Sequence, residues 1–152
     1  MSEPLNDAAS AAVIHVLETA AFMTVWPWQE ADGDLQPPDT TASMTFAGPT
    51  TGILRLSVAT DVLPLLTQNI LGELEPGDSA EEKGRDALKE MLNMICGNLL
   101  TAWQGEAPVF NLSPPEIVDV TALAAATEQA AARIPFNLEN TLAVLEVQEN
   151  KI

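Results

Sequence analysis

The sequence predicts an α+β domain with a largely antiparallel sheet and helices on one face. Three observations carry that expectation. Two long stretches repeat their apolar residues at helical spacing, one near the start and one in the middle of the chain. Several shorter stretches alternate with a period of two and come in pairs separated by turn residues, as hairpins do. No linker is long enough to divide the 152 residues into two domains, and that length is enough for a sizeable core.

The elements follow in order. Asn6 to Val25 is rich in Ala, Val, Ile and Leu, with Val13, Val16, Leu17 and Ala20 at helical spacing and Asn6 or Asp7 as cap. Trp26-Pro27-Trp28 ends this helix, because the residue before proline resists the α region. Glu30 to Pro38 is an acidic, proline-bearing loop. Thr41 to Gly48 alternates with Ala42, Met44 and Phe46 on one face. Gly52 to Val58 does the same with Leu54, Leu56 and Val58, and Gly48-Pro49-Thr50-Thr51-Gly52 turns between them. Thr60 or Asp61 caps a helix running to about Leu71, with Pro64 in its first turn, where a missing N–H is tolerated. Pro76-Gly77 marks the next loop.

Ser79-Ala80-Glu81-Glu82 is a capping box, and the helix it opens runs to about Gln104, with Gly105 as its stop. That is roughly 25 residues, or about 37 Å. Val109 to Leu112, Glu116 to Val120, Arg133 to Leu138 and Leu142 to Val147 are strand candidates, while Thr121 to Ala132 is undecided between short helix and loop. The two halves show a weak similarity, each opening with a helix that carries a glutamate, Glu18 or Glu90. Three residues after Glu18 stands Ala21; three after Glu90 stands Asn93.

Composition narrows the function. The chain is 47% apolar and 18% charged, with 22 Asp and Glu against 6 Lys and Arg, a formal net charge of −16. Phosphate contacts need clustered Lys and Arg, so nucleic acid and anionic membrane surfaces are disfavoured partners. One cysteine allows no internal disulfide, and His15 and Cys96 alone leave little for a zinc site. MSEPLNDAAS lacks the basic start of a signal peptide, and no uncharged apolar run approaches the ~20 residues of a membrane span. The expectation is a soluble, cytoplasmic protein.

The long helix carries the chemistry. With residues set about 100° apart, Leu88, Leu92, Ile95 and Leu99 cluster on one side, flanked by Met91, Cys96, Ala102 and Trp103. Asp86, Glu90, Asn93, Gly97 and Gln104 fall opposite, toward solvent. A carboxylate and an amide three residues apart leave the same side of a helix. Polar residues on a solvated face are expected in any case, and Glu-x-x-Asn is common. Gly97 on that stripe is more telling, since glycine costs a helix about 1 kcal/mol against alanine and a bare backbone suits close approach by another surface, with simple helix–helix crowding as the rival reason. Asn93 and Asn98 are also mediocre helix formers in mid-helix.

Other candidates are weaker. Cys96 as a phosphatase nucleophile wants an arginine six residues on, and position 102 is Ala; a small core residue is the simpler reading. His15 has no accompanying Ser or Cys motif. Trp26, Trp28 and Trp103 read as core or core rim, with a contact patch at Trp26-Pro27-Trp28 as the lesser alternative. Asp32 and Asp34 straddle Gly33 without the spacing of a calcium loop.

The stretch from Asp86 to Asn98, DALKEMLNMICGN, resembles the long-helix signature of the CheX-like chemotaxis phosphatases, relatives of CheC and FliY. MTFAGPTTGILRLSV (Met44 to Val58) resembles the family's hairpin before that helix, and VFNLSPPEIV (Val109 to Val118) its strand, Ser-Pro turn and strand after it, so the resemblance spans roughly residues 10 to 148. It implies two long helices packed on an antiparallel sheet, CheC-like, with internal pseudo-duplication. It implies removal of the phosphoryl group from the aspartyl phosphate of a CheY-type response regulator. Glu90 would pair with a regulator lysine and Asn93 would orient the attacking water, with Asp86, Met94 and Gly97 meeting the partner. Mg²⁺ would belong to the regulator, with no cofactor of the chain's own, and the assembly would be a homodimer. Lys89 stands where small residues are common in the family, Cys96 where alanine is frequent, and Leu99 and Leu100 where a polar or basic residue often follows. A non-catalytic module that docks a regulator on the same fold is the rival expectation.

Overall fold

The computed structural model describes residues 3–118 and 132–150. Among them run α1 (Glu3–Thr19), β1 (Val25–Pro27), β2 (Thr40–Ala47), β3 (Thr51–Val58), α2 (Leu63–Leu71), α3 (Ala80–Gln104), β4 (Asn111–Leu112), β5 (Glu116–Val118), β6 (Ala132–Leu138) and β7 (Thr141–Asn150). The fold class is as expected. The strands form one sheet in the order β1-β6-β7-β3-β2-β4, with β5 also on β2. Every strand pair is antiparallel, and an isolated Gln36–Thr141 bridge is parallel.

The hairpin β2–β3 forms in the register that its alternation predicts. Ala42, Met44 and Phe46 are buried on one strand, and Leu54, Leu56 and Val58 on the other. They share one core with Val13, Val16 and Leu17 of α1 and with Leu88, Leu92, Ile95 and Leu99 of α3. Gly52 is required by close approach: a Cβ there would lie 2.3 Å from the Gln148 carbonyl oxygen and 2.6 Å from the Phe46 ring.

The strand order is the same from either end once the two halves are exchanged. Each half contributes a hairpin (β2–β3 or β6–β7), and β3 pairs with β7 at the centre. The strand after each long helix crosses to the other half, β1 onto β6 and β5 onto β2. That is the topology of a duplication. The glutamates do not correspond, however. Glu90 precedes the buried pair Met91-Leu92, whereas Glu18 follows the buried pair Val16-Leu17, and Ala21 lies past the end of α1.

The first helix is shorter than its periodicity suggests. It ends at Thr19, not Val25, because Phe22 adopts a left-handed backbone (φ 54°) and the Met23 N–H turns back to the Leu17 carbonyl at 3.0 Å. Val25 to Pro27 then pairs as an edge strand with Phe136 to Leu138. Pro27 is tolerated there because an edge strand leaves N–H groups unused. The loop that follows holds a short 3-10 turn at Glu30–Asp32. Positions 119–131, which hold the end of the expected Glu116 to Val120 strand and all of the undecided stretch but Ala132, lie outside the described residues; Ala132 opens β6.

Gly52→Ala should destabilise the domain by about 1–3 kcal/mol, the usual cost of overpacking, with the fold retained. Urea unfolding checks it; an unchanged midpoint would mean that β3 and β7 have room to part.

Candidate functional site

The ends of α3 fall where the local sequence predicts, with the Ser79 half of the capping box formed and no return bond from the Glu82 side chain among the described residues. Ser79 is extended and its Oγ accepts from the Glu82 N–H at 3.3 Å, and Gly105 (φ 86°) stops the helix with its N–H on the Thr101 carbonyl. Between these caps, Ala87, Leu88, Met91, Leu92, Ile95, Cys96 and Leu99 are fully buried. Gly84 is buried too, with space for a Cβ only 3.1 Å from that of Leu63 in α2. Ala102 departs from the expected stripe: it is exposed, and Leu100 is buried instead. The nine-residue α2 covers that side of α3 at Gly84, eighteen residues earlier, and is too short to reach Ala102.

With that face buried, the opposite one points outward. Asp86, Glu90, Asn93 and Gly97 are all exposed. Asp86, Glu90 and Asn93 come together with Lys89 and Pro115 along an open groove of about 220 Å³. Pro115 belongs to the turn between β4 and β5, held to the sheet by Ser113, whose Oγ accepts from the Thr45 N–H at 2.8 Å. Lys89 Nζ lies 3.5 Å from Asp86 Oδ1. Glu90 and Asn93 have no side-chain hydrogen bond or ion pair among the described residues. Neither Met94 nor Gly97 lines the groove. Met94 is half-buried against the core and its carbonyl accepts from Asn98 Nδ2 at 3.1 Å. Gly97 extends the exposed stripe one turn further, with open space where a Cβ would go.

Sequence reasoning passed over Lys89 and Pro115 as site residues. Lys89 was legible, since it stands four residues before Asn93 and so shares its side of the helix. Pro115 was not, because its approach depends on how β5 packs beside β2.

This groove has an amide that can hold a water and carboxylates that can pair with a cation, and the chain's one thiol is no part of it. Cys96 is fully buried, and burial pushes its thiol up to about 12. Trp26 and Trp28 sit at the sheet edge, their indole N–H groups donating to Asp32 Oδ1 (3.2 Å) and the Gly33 carbonyl (3.1 Å). The Asp32 carboxylate also accepts from the Gln29 N–H (2.8 Å) and Asn137 Nδ2 (3.1 Å). These donors, Gln29 foremost, hold it below the usual carboxylate range against a smaller opposing effect of burial. The Asp32-Gly33-Asp34 segment is thus tied into the fold. Trp103 is half-buried, edge-on to Phe46 at 6.4 Å, and His15 is exposed. Among the described residues no group of three His, Cys, Asp or Glu could hold a metal, and no helix is long and apolar enough to cross a membrane.

Residues 40–138, which include the hairpin, α3 and its exposed stripe, match the family model described as chemotaxis phosphatase CheX. The chain belongs to the CheX family. Solved structures agree on the fold. The CheX protein of Vibrio vulnificus is 20% identical with a TM-score of 0.72, covering 98% of this chain and 97% of its own. A CheC-like protein from Shewanella sp. PV-4 is 18% identical with a TM-score of 0.71, covering 99% and 100%. The CheX of a CheX–CheY–BeF3–Mg²⁺ complex from Borrelia burgdorferi is 18% identical with a TM-score of 0.67, covering 98% and 97%. No curated protein matches the sequence significantly.

Two outcomes follow from this CheX-type helix. Gly97→Ala should stabilise the domain by about 0.5–1 kcal/mol through helix propensity, measured by thermal unfolding, because nothing stands where the methyl would go. The Cys96 thiol should stay unreactive toward a thiol reagent at pH 8 until denaturant is added. Modification of the native protein at the rate of a free thiol would contradict its burial.

Proposed function

We propose that this chain hydrolyses the aspartyl phosphate of a CheY-type response regulator, using Asn93 and Glu90. One observation carries the reading: in a CheX-family chain, an exposed carboxylate and amide stand on one open groove without partners among the described residues. Such a pair is half of a site, completed by whatever docks.

The chemistry suits what the groove holds. Phosphoryl transfer passes through a loose transition state, so positioning and electrostatics do most of the work. The Asn93 amide holds a water in line with the phosphorus and opposite the aspartyl oxygen. The water oxygen bonds to phosphorus as the bond to the aspartyl oxygen breaks. The electron pair stays on the regulator carboxylate, the water's proton is released, and inorganic phosphate leaves. Holding one water in place converts a chance encounter into an oriented attack. Glu90 pairs with a lysine of the regulator's site and sets the docking register. The Mg²⁺ that neutralises the phosphoryl oxygens is the regulator's. The Borrelia complex supports this choice of partner, since a CheX of this fold is held there with CheY, BeF3 and Mg²⁺.

The test follows decay of a regulator's aspartyl phosphate with and without the chain. Asn93→Ala should lower kcat by about 10²-fold with regulator binding kept. Glu90→Ala should mainly raise KM, and more so at low salt. Acceleration that survives Asn93→Ala would sink the proposal, and binding without any acceleration would leave a docking module.

A further inference from the structure

The groove holds one group to which that mechanism gives no role. Lys89 is the only cation lining it among the described residues, and Asp86 and Glu90 line it too. On the helix, Asn93 lies about 60° from Glu90 and about 40° from Lys89, between the two. Around the helix axis the position of the amide therefore falls between those of a glutamate and a lysine. Lys89 is also held toward the groove. Its Nζ is 3.5 Å from Asp86 Oδ1, with the lysine side chain 36% exposed and the aspartate 52%. An exposed ion pair of this kind is worth under about 1 kcal/mol, so it orients the ammonium yet releases it readily.

Charge gives this placement a consequence. The chain carries a net −16, and its proposed target displays an anionic phosphoryl group. Two anionic surfaces repel on approach, and the local field in a groove decides the encounter more than distant charges screened by salt. A cation at the flank of Asn93 offsets that repulsion where the two surfaces meet.

Resting on the phosphatase reading, we propose that Lys89 is a positioning residue: its ammonium leaves Asp86 and contacts the anionic groups around the partner's aspartyl phosphate, steering and seating the docked complex. Glu90 and Lys89 then form a two-point charge code on either side of the water-holding amide. Glu90 reads a lysine of the partner, and Lys89 reads its anionic rim. A lysine kept only for helix stability would affect neither docking nor its salt dependence.

The test uses the full chain and a CheY-type regulator activated with beryllofluoride and Mg²⁺, a stable mimic of the aspartyl phosphate. Affinity is measured by titration calorimetry at several salt concentrations, alongside kcat and KM for phosphate release from the phosphorylated regulator. Lys89→Met should weaken binding three- to tenfold at low salt, raise KM to match, leave kcat within twofold and move the salt slope in the positive direction, so that the loss of affinity shrinks as salt rises. Lys89→Arg should restore most of the affinity. Unchanged affinity and salt slope in Lys89→Met would overturn the proposal, as would a fall in kcat at constant KM, which would make Lys89 a catalytic group. A wild-type chain that binds the activated regulator without releasing phosphate would refute the phosphatase reading and leave Lys89 to be judged on affinity. A wild-type chain that does not bind would refute both.

Discussion

Leu88, Met91, Leu92, Ile95 and Leu99 are fully buried along one side of α3, in the same core as Met44, Phe46, Leu54 and Leu56 of the sheet. Burying each such side chain is worth about 1.5–3 kcal/mol, against less than about 1 kcal/mol for an exposed ion pair such as Lys89–Asp86. The apolar face therefore sets the rotation of the helix, and the polar face follows. Glu90 and Asn93 point to solvent because rolling them inward would expose leucines and bury a carboxylate. The caps at Ser79 and Gly105 keep the helix intact across this span, so the two groups are carried on a rigid rod.

A site of this kind is shaped by what it omits. The groove is open, its amide and one carboxylate have no partners among the described residues, and the one thiol of the chain is sealed in the core. Chemistry that needs a covalent intermediate or a resident metal would require groups to converge. Chemistry that needs a water held in place can be done by a single amide, provided a partner brings the reacting phosphorus and its counter-ion. Unmet hydrogen-bonding capacity on α3 is tolerated because the groups are exposed and solvent satisfies them.

The duplicated topology shows how far two copies of one frame can drift. The crossing of β1 onto β6 and β5 onto β2 keeps the sheet symmetric. The helices carry little of that symmetry. α1 has 17 residues against 25 in α3, and its glutamate sits on the other side of its buried pair. Strand pairing is a backbone property and tolerates side-chain change, whereas a pair of functional groups depends on two particular side chains at one phase of a helix.

Much of the fold and the central pair were legible in the sequence. Alternation in β2 and β3, the Ser79 cap, the Gly105 stop and the leucine period of α3 are local patterns, and local patterns are what a linear sequence records. The phase of the leucine stripe alone placed Asp86, Glu90, Asn93 and Gly97 on the outward face. What went astray depended on distant partners. Val25 to Pro27 looked like the end of a helix and became a strand because β6 offers it hydrogen bonds. Ala102 looked buried and is exposed because α2 stops short of it. Pro115 joined the groove because β5 pairs with β2. By itself the sequence determined that α3 would present Asp86, Glu90, Asn93 and Gly97 to solvent, since helical phase and hydrophobicity are enough to decide that for the middle of the helix. Only the tertiary structure decided what stands across from them, because the Pro115 wall of the groove depends on packing between segments far apart in the chain.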